Sequence, residues 1–100
     1  MPVRNEEHFI ARSLGAVLQQ DYPADRIEVL VADGMSDDTT LATIRSLPGA
    51  DRVRIIPNPD RLQAPGMNRA IVEAKGEIII RVDGHTVIAP DYVRCSVEIL

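Results

Sequence analysis

The sequence predicts an α/β fold with a mainly parallel sheet flanked by helices, and three observations carry that prediction. Segments with helical and with strand-like periodicity alternate along the chain. Two of the apolar runs, Ile27 to Ala32 and Ile78 to Val82, stop at an aspartate that opens a polar turn, Asp33-Gly34-Met35-Ser36 and Asp83-Gly84-His85-Thr86. The only aromatics are Phe9, Tyr22 and Tyr92 in a chain that is 45% hydrophobic, so the core must be mostly aliphatic, as suits a sheet covered by helices.

Each element follows from local chemistry. Asn5 is a suitable N-cap, Glu6 and Glu7 place negative charge in a first turn, and Phe9, Ile10, Leu14, Val17 and Leu18 recur at helical spacing. A helix is therefore expected from about Glu6 to Gln20, ended by Asp21-Tyr22-Pro23. A buried strand covers Ile27 to Ala32, and a short helix runs from Asp38 to about Ser46, stopped by Pro48-Gly49. Val53 to Ile56 forms a strand ended by Pro57, and 58–64 is a loop. Pro65 suits the first turn of a helix reaching about Lys75, with Gly76 beyond its end. Glu77 to Val82 is the next strand, and Pro90 opens a last helix carrying Tyr92, Val93, Val97 and Leu100.

One hundred residues make one small domain at most. A net charge of −4 gives no basic footprint for nucleic acid. Cys95 is alone, which excludes an internal disulfide or a cysteine zinc site within one chain. No signal peptide and no run of apolar residues long enough to span a membrane is present, so a cytoplasmic location is the default expectation. A helix starts after only Met1-Pro2-Val3-Arg4, where such folds normally place a buried strand, and the last helix has no cap. The domain is therefore expected to be incomplete at both ends.

In open α/β sheets, ligands bind beyond the carboxyl ends of the strands. Asp33 and Asp83 at two such ends point to one polar site that holds a nucleotide and a metal. Residues two apart in an extended segment face the same side, so Asp83 and His85 are candidates to meet one ion. A carboxylate suits Mg²⁺ or Mn²⁺, and imidazole is tolerated by Mn²⁺.

Four segments then carry a resemblance: Pro2-Val3-Arg4-Asn5-Glu6-Glu7, the run from Val31 through Asp33-Gly34-Met35-Ser36-Asp37-Asp38 to Thr40, Gly66-Met67-Asn68-Arg69-Ala70, and Gly76 to His85. In this order and spacing the chain resembles the family 2 glycosyltransferases, and most of all the bacterial branch that builds succinoglycan-type exopolysaccharides. The resemblance implies a GT-A (Rossmann-like) fold and the donor-binding half of a site for a nucleotide sugar, with a UDP-sugar as the expected donor. It implies that Pro2, Arg4, Asn5 and Glu6 line the base and ribose and that Asp33 hydrogen-bonds the base or ribose. Ser36 and Asp38 would shape the turn, and Thr40 would begin the helix behind it. Arg61 and the start of the Pro65 helix would approach the diphosphate, Asn68 matches the family's asparagine, and Asp83 is the first acid of its Asp-x-Asp motif, which binds Mg²⁺ or Mn²⁺.

Two departures stand out. Gly34 replaces the second of two adjacent acids, and His85 replaces the second aspartate of Asp-x-Asp. The resemblance also places the catalytic base and the site for a glycan or lipid-linked acceptor after this region, so the chain by itself is not expected to turn over. It places the first strand centrally, between those ending at Asp33 and Asp83. A shortened first strand should then expose both neighbours and favour self-association. Membrane segments elsewhere in such proteins would put the site at the inner face of the membrane. A non-catalytic nucleotide-sugar-binding module and a nucleotidyltransferase-like α/β enzyme are the alternatives. A dehydrogenase and a phosphate-loop NTPase lack their glycine signatures here.

Overall fold

In the computed structural model, residues 1–99 are described. Leu100, expected in the last helix, lies outside the described residues. The elements are β1 (Pro2–Val3), α1 (Ile10–Leu18), β2 (Val29–Asp33), α2 (Thr40–Ser46), β3 (Val53–Pro57), α3 (Gln63–Glu73) and α4 (Tyr92–Ile99), with short 3₁₀ turns at Ala24–Arg26 and Ala50–Arg52.

The strands form one parallel sheet in the order β1-β2-β3. Pro2 pairs with Ala32 and Val3 with Asp33, and β3 runs beside β2 from Val29↔Val53 to Asp33↔Pro57. β1 owes its place to main-chain bonds: the Ala32 and Gly34 N–H groups donate to the Met1 and Val3 carbonyls at 3.0 and 2.8 Å. One face of the sheet packs Met1, Val3, Val29 and Val31 against Ile10 and Leu14 of α1 and Ile44 of α2. The other face is thinner, with Ala32 and Ile56 against Ala70 of α3.

Several expectations shift. The first helix is regular only from Ile10, although the Ile10 N–H already bonds back to the Glu6 carbonyl at 2.8 Å. Asn5 does not cap it. With φ at +52°, its side chain turns away and its Oδ1 accepts from the Asp37 N–H at 2.9 Å. Phe9, placed on the helix's apolar stripe, is exposed. α3 begins at Gln63, so Pro65 falls inside its first turn, where no intrahelical N–H is needed.

The main correction concerns Glu77 to Val82, which is extended but joins no ladder. The first strand is therefore an edge strand here, not a central one. The cause is length: β1 is two residues long, and β2 takes its pairing. Val82 still packs into the core beside Met1 and Val3.

Leu14 is fully buried in the larger cluster. Leu14→Ala should lower stability by about 2–5 kcal/mol, measured by urea unfolding. Ile99→Ala, at a side chain 85% exposed, should change it by less than about 0.5 kcal/mol.

Candidate functional site

The carboxyl ends of the parallel strands carry the loops that the chemistry needs. Because β1 and β2 run side by side in register, the segments leaving them, 4–9 and 34–40, leave together. Polar side chains stitch these segments. Asp33 is buried at the end of β2 and accepts from the Ser36 hydroxyl at 2.6 Å and the Ser36 N–H at 3.3 Å, a local turn of the kind aspartate favours. The Ser36 hydroxyl in turn accepts from the Asn5 N–H at 3.0 Å. Arg4 Nε donates to the Gly34 carbonyl at 3.0 Å. Thr40 Oγ1 accepts from the Glu6 N–H at 2.8 Å, and the Asp38 carboxylate accepts from both the hydroxyl and the N–H of Thr40.

Beside this seam lies a polar cleft of about 150 Å³. Pro2, Arg4, Glu6, Arg61 and His85 line it, as does Gln63. Five of the ten site residues expected from sequence thus meet in one cleft. Asn5, Asp33 and Ser36 form the turn next to it. Asp83 stands one hydrogen bond away, its Oδ1 accepting from Gln63 Nε2 at 3.3 Å. Asn68 is exposed on α3 and is not part of the lining.

The second acidic end is held from below. The Ser13 hydroxyl of α1, fully buried, donates to the Gly84 carbonyl at 2.6 Å. A side chain at Gly84 would meet Glu6 Cγ and Val3 Cγ1 at 3.0 Å, so only glycine fits between the two loops. Gly34, the first departure from the family pattern, has a similar reason: a Cβ there would meet the Arg61 carbonyl at 3.0 Å.

Asp83 and His85 are not two positions of one extended strand, as the sequence suggested. The Thr86 N–H bonds back to the Asp83 carbonyl at 3.1 Å, which makes 83–86 a turn. The Asp83 carboxylate faces Gln63 and the Arg81 guanidinium, the latter at 3.2 Å, while His85 Nδ1 lies 3.7 Å from Glu6 Oε1. Among the described residues no three His, Cys, Asp or Glu side chains converge as a metal cage. A donor set of one carboxylate with a nearby imidazole and a second carboxylate fits Mg²⁺ or Mn²⁺ if phosphate oxygens and water complete the shell.

Sequence reasoning missed Asn58. It is 2% exposed and borders the cleft. Its Nδ2 donates to the Leu62 carbonyl at 2.8 Å, which fixes the amide's orientation, and its Oδ1 is left without a partner among the described residues. A buried, unpaired acceptor is uncommon and calls for an explanation. The signal was available: Asn58 follows β3 as Asp33 ends β2, a third strand end at the same side of the sheet. Three non-glycine residues with positive φ, Asn5, Met35 and Arg61, also sit in the loops around this cleft. Such strain clusters at functional sites.

A family model for glycosyl transferase family 2 matches residues 1–99. The chain belongs to that family. It is 32% identical over 98% of its length to a dolichyl-phosphate-linked N-acetylglucosaminyl 3-β-glucuronosyltransferase of Methanococcus voltae, of which it covers 32%. It is 40% identical over 70% of its length to the succinoglycan biosynthesis protein ExoA of Rhizobium meliloti, of which it covers 22%. The chain thus spans about a third or less of these relatives. Among solved structures, a Pyrobaculum calidifontis mannosyltransferase in complex with GDP-Man and Mn²⁺ superimposes with a TM-score of 0.88 at 29% identity, over 97% of this chain and 30% of that one. Staphylococcus aureus TarS in complex with UDP does so with a TM-score of 0.81 at 26% identity, over 97% of this chain and 29% of that one. The family and the parallel, helix-flanked GT-A architecture expected from the motifs are both as expected.

The stitching between the two loops also sets an acid limit. Hydrogen bonds from the Thr39 hydroxyl and N–H hold the Glu7 carboxyl below its ordinary value of 4.5. At Asp38, burial pushes the carboxyl up, but bonds from the Thr40 hydroxyl, the Thr40 N–H and the Glu7 N–H together outweigh it and leave it below 3.8. Both groups bind a proton less readily folded than unfolded. Their contribution is complete above those ordinary values and is lost as pH falls through the lower folded ones. Urea midpoints should therefore drop between pH 5 and pH 3, and Glu7→Gln combined with Asp38→Asn should flatten that part of the drop.

Proposed function

We propose that this chain forms the donor side of a glycosyltransferase that transfers a sugar from a nucleotide sugar to a glycan or lipid-linked acceptor. The observation that carries the reading is the cleft at the strand ends, where Arg4, Glu6, Arg61 and His85 converge beside the unpaired Oδ1 of Asn58. That oxygen is an acceptor awaiting an N–H or O–H, which a nucleobase or a ribose supplies. Arg4 and Arg61 bring positive charge to the same cleft, as a diphosphate requires. The names of the relatives, and the UDP and GDP-Man held by the structural neighbours, support a nucleoside diphosphate sugar as the donor class.

In this reading Pro2 and Arg4 border the nucleoside, and Asp33 with Ser36 and Asn5 keeps the adjoining turn in place. Asp83 and His85 would hold a divalent ion, whose chemistry when bound is to neutralise the leaving diphosphate. Arg81 and Gln63 hold the Asp83 carboxylate until then. Glu6, 3.7 Å from His85, keeps the imidazole turned toward the cleft. No carboxylate of the described residues is assigned as catalytic base.

The test is calorimetric titration of the chain with UDP and with GDP, in Mn²⁺ and in chelator. Binding should depend on the metal. Asp83→Ala should weaken it about 10-fold or more while leaving the circular dichroism spectrum unchanged. Arg81→Ala should do the opposite for Mn²⁺ alone, tightening it by up to about fivefold, since an exposed ion pair of about 0–1 kcal/mol no longer competes. A folded chain that binds neither nucleotide would overturn the reading.

A further inference from the structure

A second opening, larger than the donor cleft, lies in line with β1. It is a mostly apolar groove of about 540 Å³. Val17 of α1 and Val97 of α4 contribute to its lining, as do Met67 and Ala70 of α3. Helices from both layers therefore cover it. Two extended segments also border it: residues 28–30, at the start of β2, and 78–80 with Val82.

The backbone says what shape belongs there. Leu30 O accepts from the Met1 nitrogen at 2.9 Å, and the Ala32 and Gly34 N–H groups donate to β1. Because groups alternate along a strand, the Leu30 N–H and the Glu28 carbonyl point to that same edge, beyond where β1 stops. Across the groove, Ile78 to Val82 is the most strand-like apolar run of the chain, and it is extended with no ladder partner. Ile78 and Ile79 are 41% and 47% exposed. The Met1 nitrogen at the end of the groove is desolvated, and its pKa falls to about 6. A peptide-like neutral donor suits that position better than an ammonium group.

We propose that this groove is a strand acceptor. It takes an extended, uncharged polypeptide segment of about five apolar residues, about 17 Å long, running parallel to β2 as an added strand. With helices on both faces, the segment reads as a continuous Val/Ile-rich run and not as an alternating one. A helix is excluded, because it would leave the strand-edge groups of β2 without partners. The occupant is a strand from another polypeptide and not a second copy. In this chain β1, β2 and β3 are already paired, and Ile78 to Val82 already borders the groove. The inference is independent of the donor cleft.

The test titrates the isotope-labelled chain with acetyl-Lys-Lys-Gly-Val-Ile-Val-Thr-Val-amide, followed by amide shifts and hydrogen exchange. Saturable binding is expected, with exchange at Leu30 and at Ile78 to Val82 slowed at least tenfold. The same peptide with proline at its central valine should bind at least tenfold more weakly. In a second measurement, the same five residues fused ahead of Met1 should raise the thermal midpoint, and a five-residue Gly/Ser extension should not. Equal binding of the proline peptide, no gain from the fusion, or a dimer in sedimentation with these amides already protected would overturn the proposal.

Discussion

The arrangement of this chain rests on a short stretch of parallel pairing, Pro2 with Ala32 and Val3 with Asp33. Parallel strands bring their carboxyl ends to the same side. The register therefore decides that the loop after Val3 and the loop after Asp33 leave the sheet together. Everything polar at that end follows from it: Arg4 reaches the Gly34 carbonyl, Asn5 reaches Ser36 and Asp37, and Glu6 reaches Thr40. A slip of one residue would turn Val3 out of the core and Pro2 into it, and would separate each of these pairs.

The cost of bringing loops so close is visible in the backbone. Asn5, Met35 and Arg61 hold positive φ, and Gly34 and Gly84 sit where a methyl group would collide with the neighbouring loop. The core opposes that strain from one side. α1 packs Ile10 and Leu14 under β1, and from the same helix Ser13 fixes the Gly84 carbonyl. One helix thus serves both the packing of the sheet and the position of the Asp83 turn.

Electrostatics within the site is divided between two acids with different neighbours. Asp33 is buried and satisfied by a serine three residues away, so it shapes a turn. Asp83 is more exposed and shared between a guanidinium and a side-chain amide, so its partners can be exchanged for a cation. The two looked equivalent as strand-end aspartates. Their surroundings, supplied by Ser36 in one case and by Arg81 and α3 in the other, make them different.

The sequence by itself determined the elements that local chemistry governs. Ile27 to Ala32 and Val53 to Ile56 read as strands from their apolar runs and are strands within two residues. The helices came from 3.6-residue periodicity, and the family from four motifs in order. Most site residues could be named because they belong to those motifs. Only the tertiary structure decided the rest. A strand exists only when a neighbour offers its hydrogen-bonding groups, so Glu77 to Val82 kept a strand's sequence without a ladder. Asn5 looked like a cap, but a partner 32 residues away claimed its side chain. Asn58 carried no local signal at all, since its burial and its unpaired oxygen arise from the packing of β3, α3 and the Asp33 loop. Propensity acts over a few residues, whereas pairing, burial and hydrogen-bond satisfaction are settled between segments far apart in the chain.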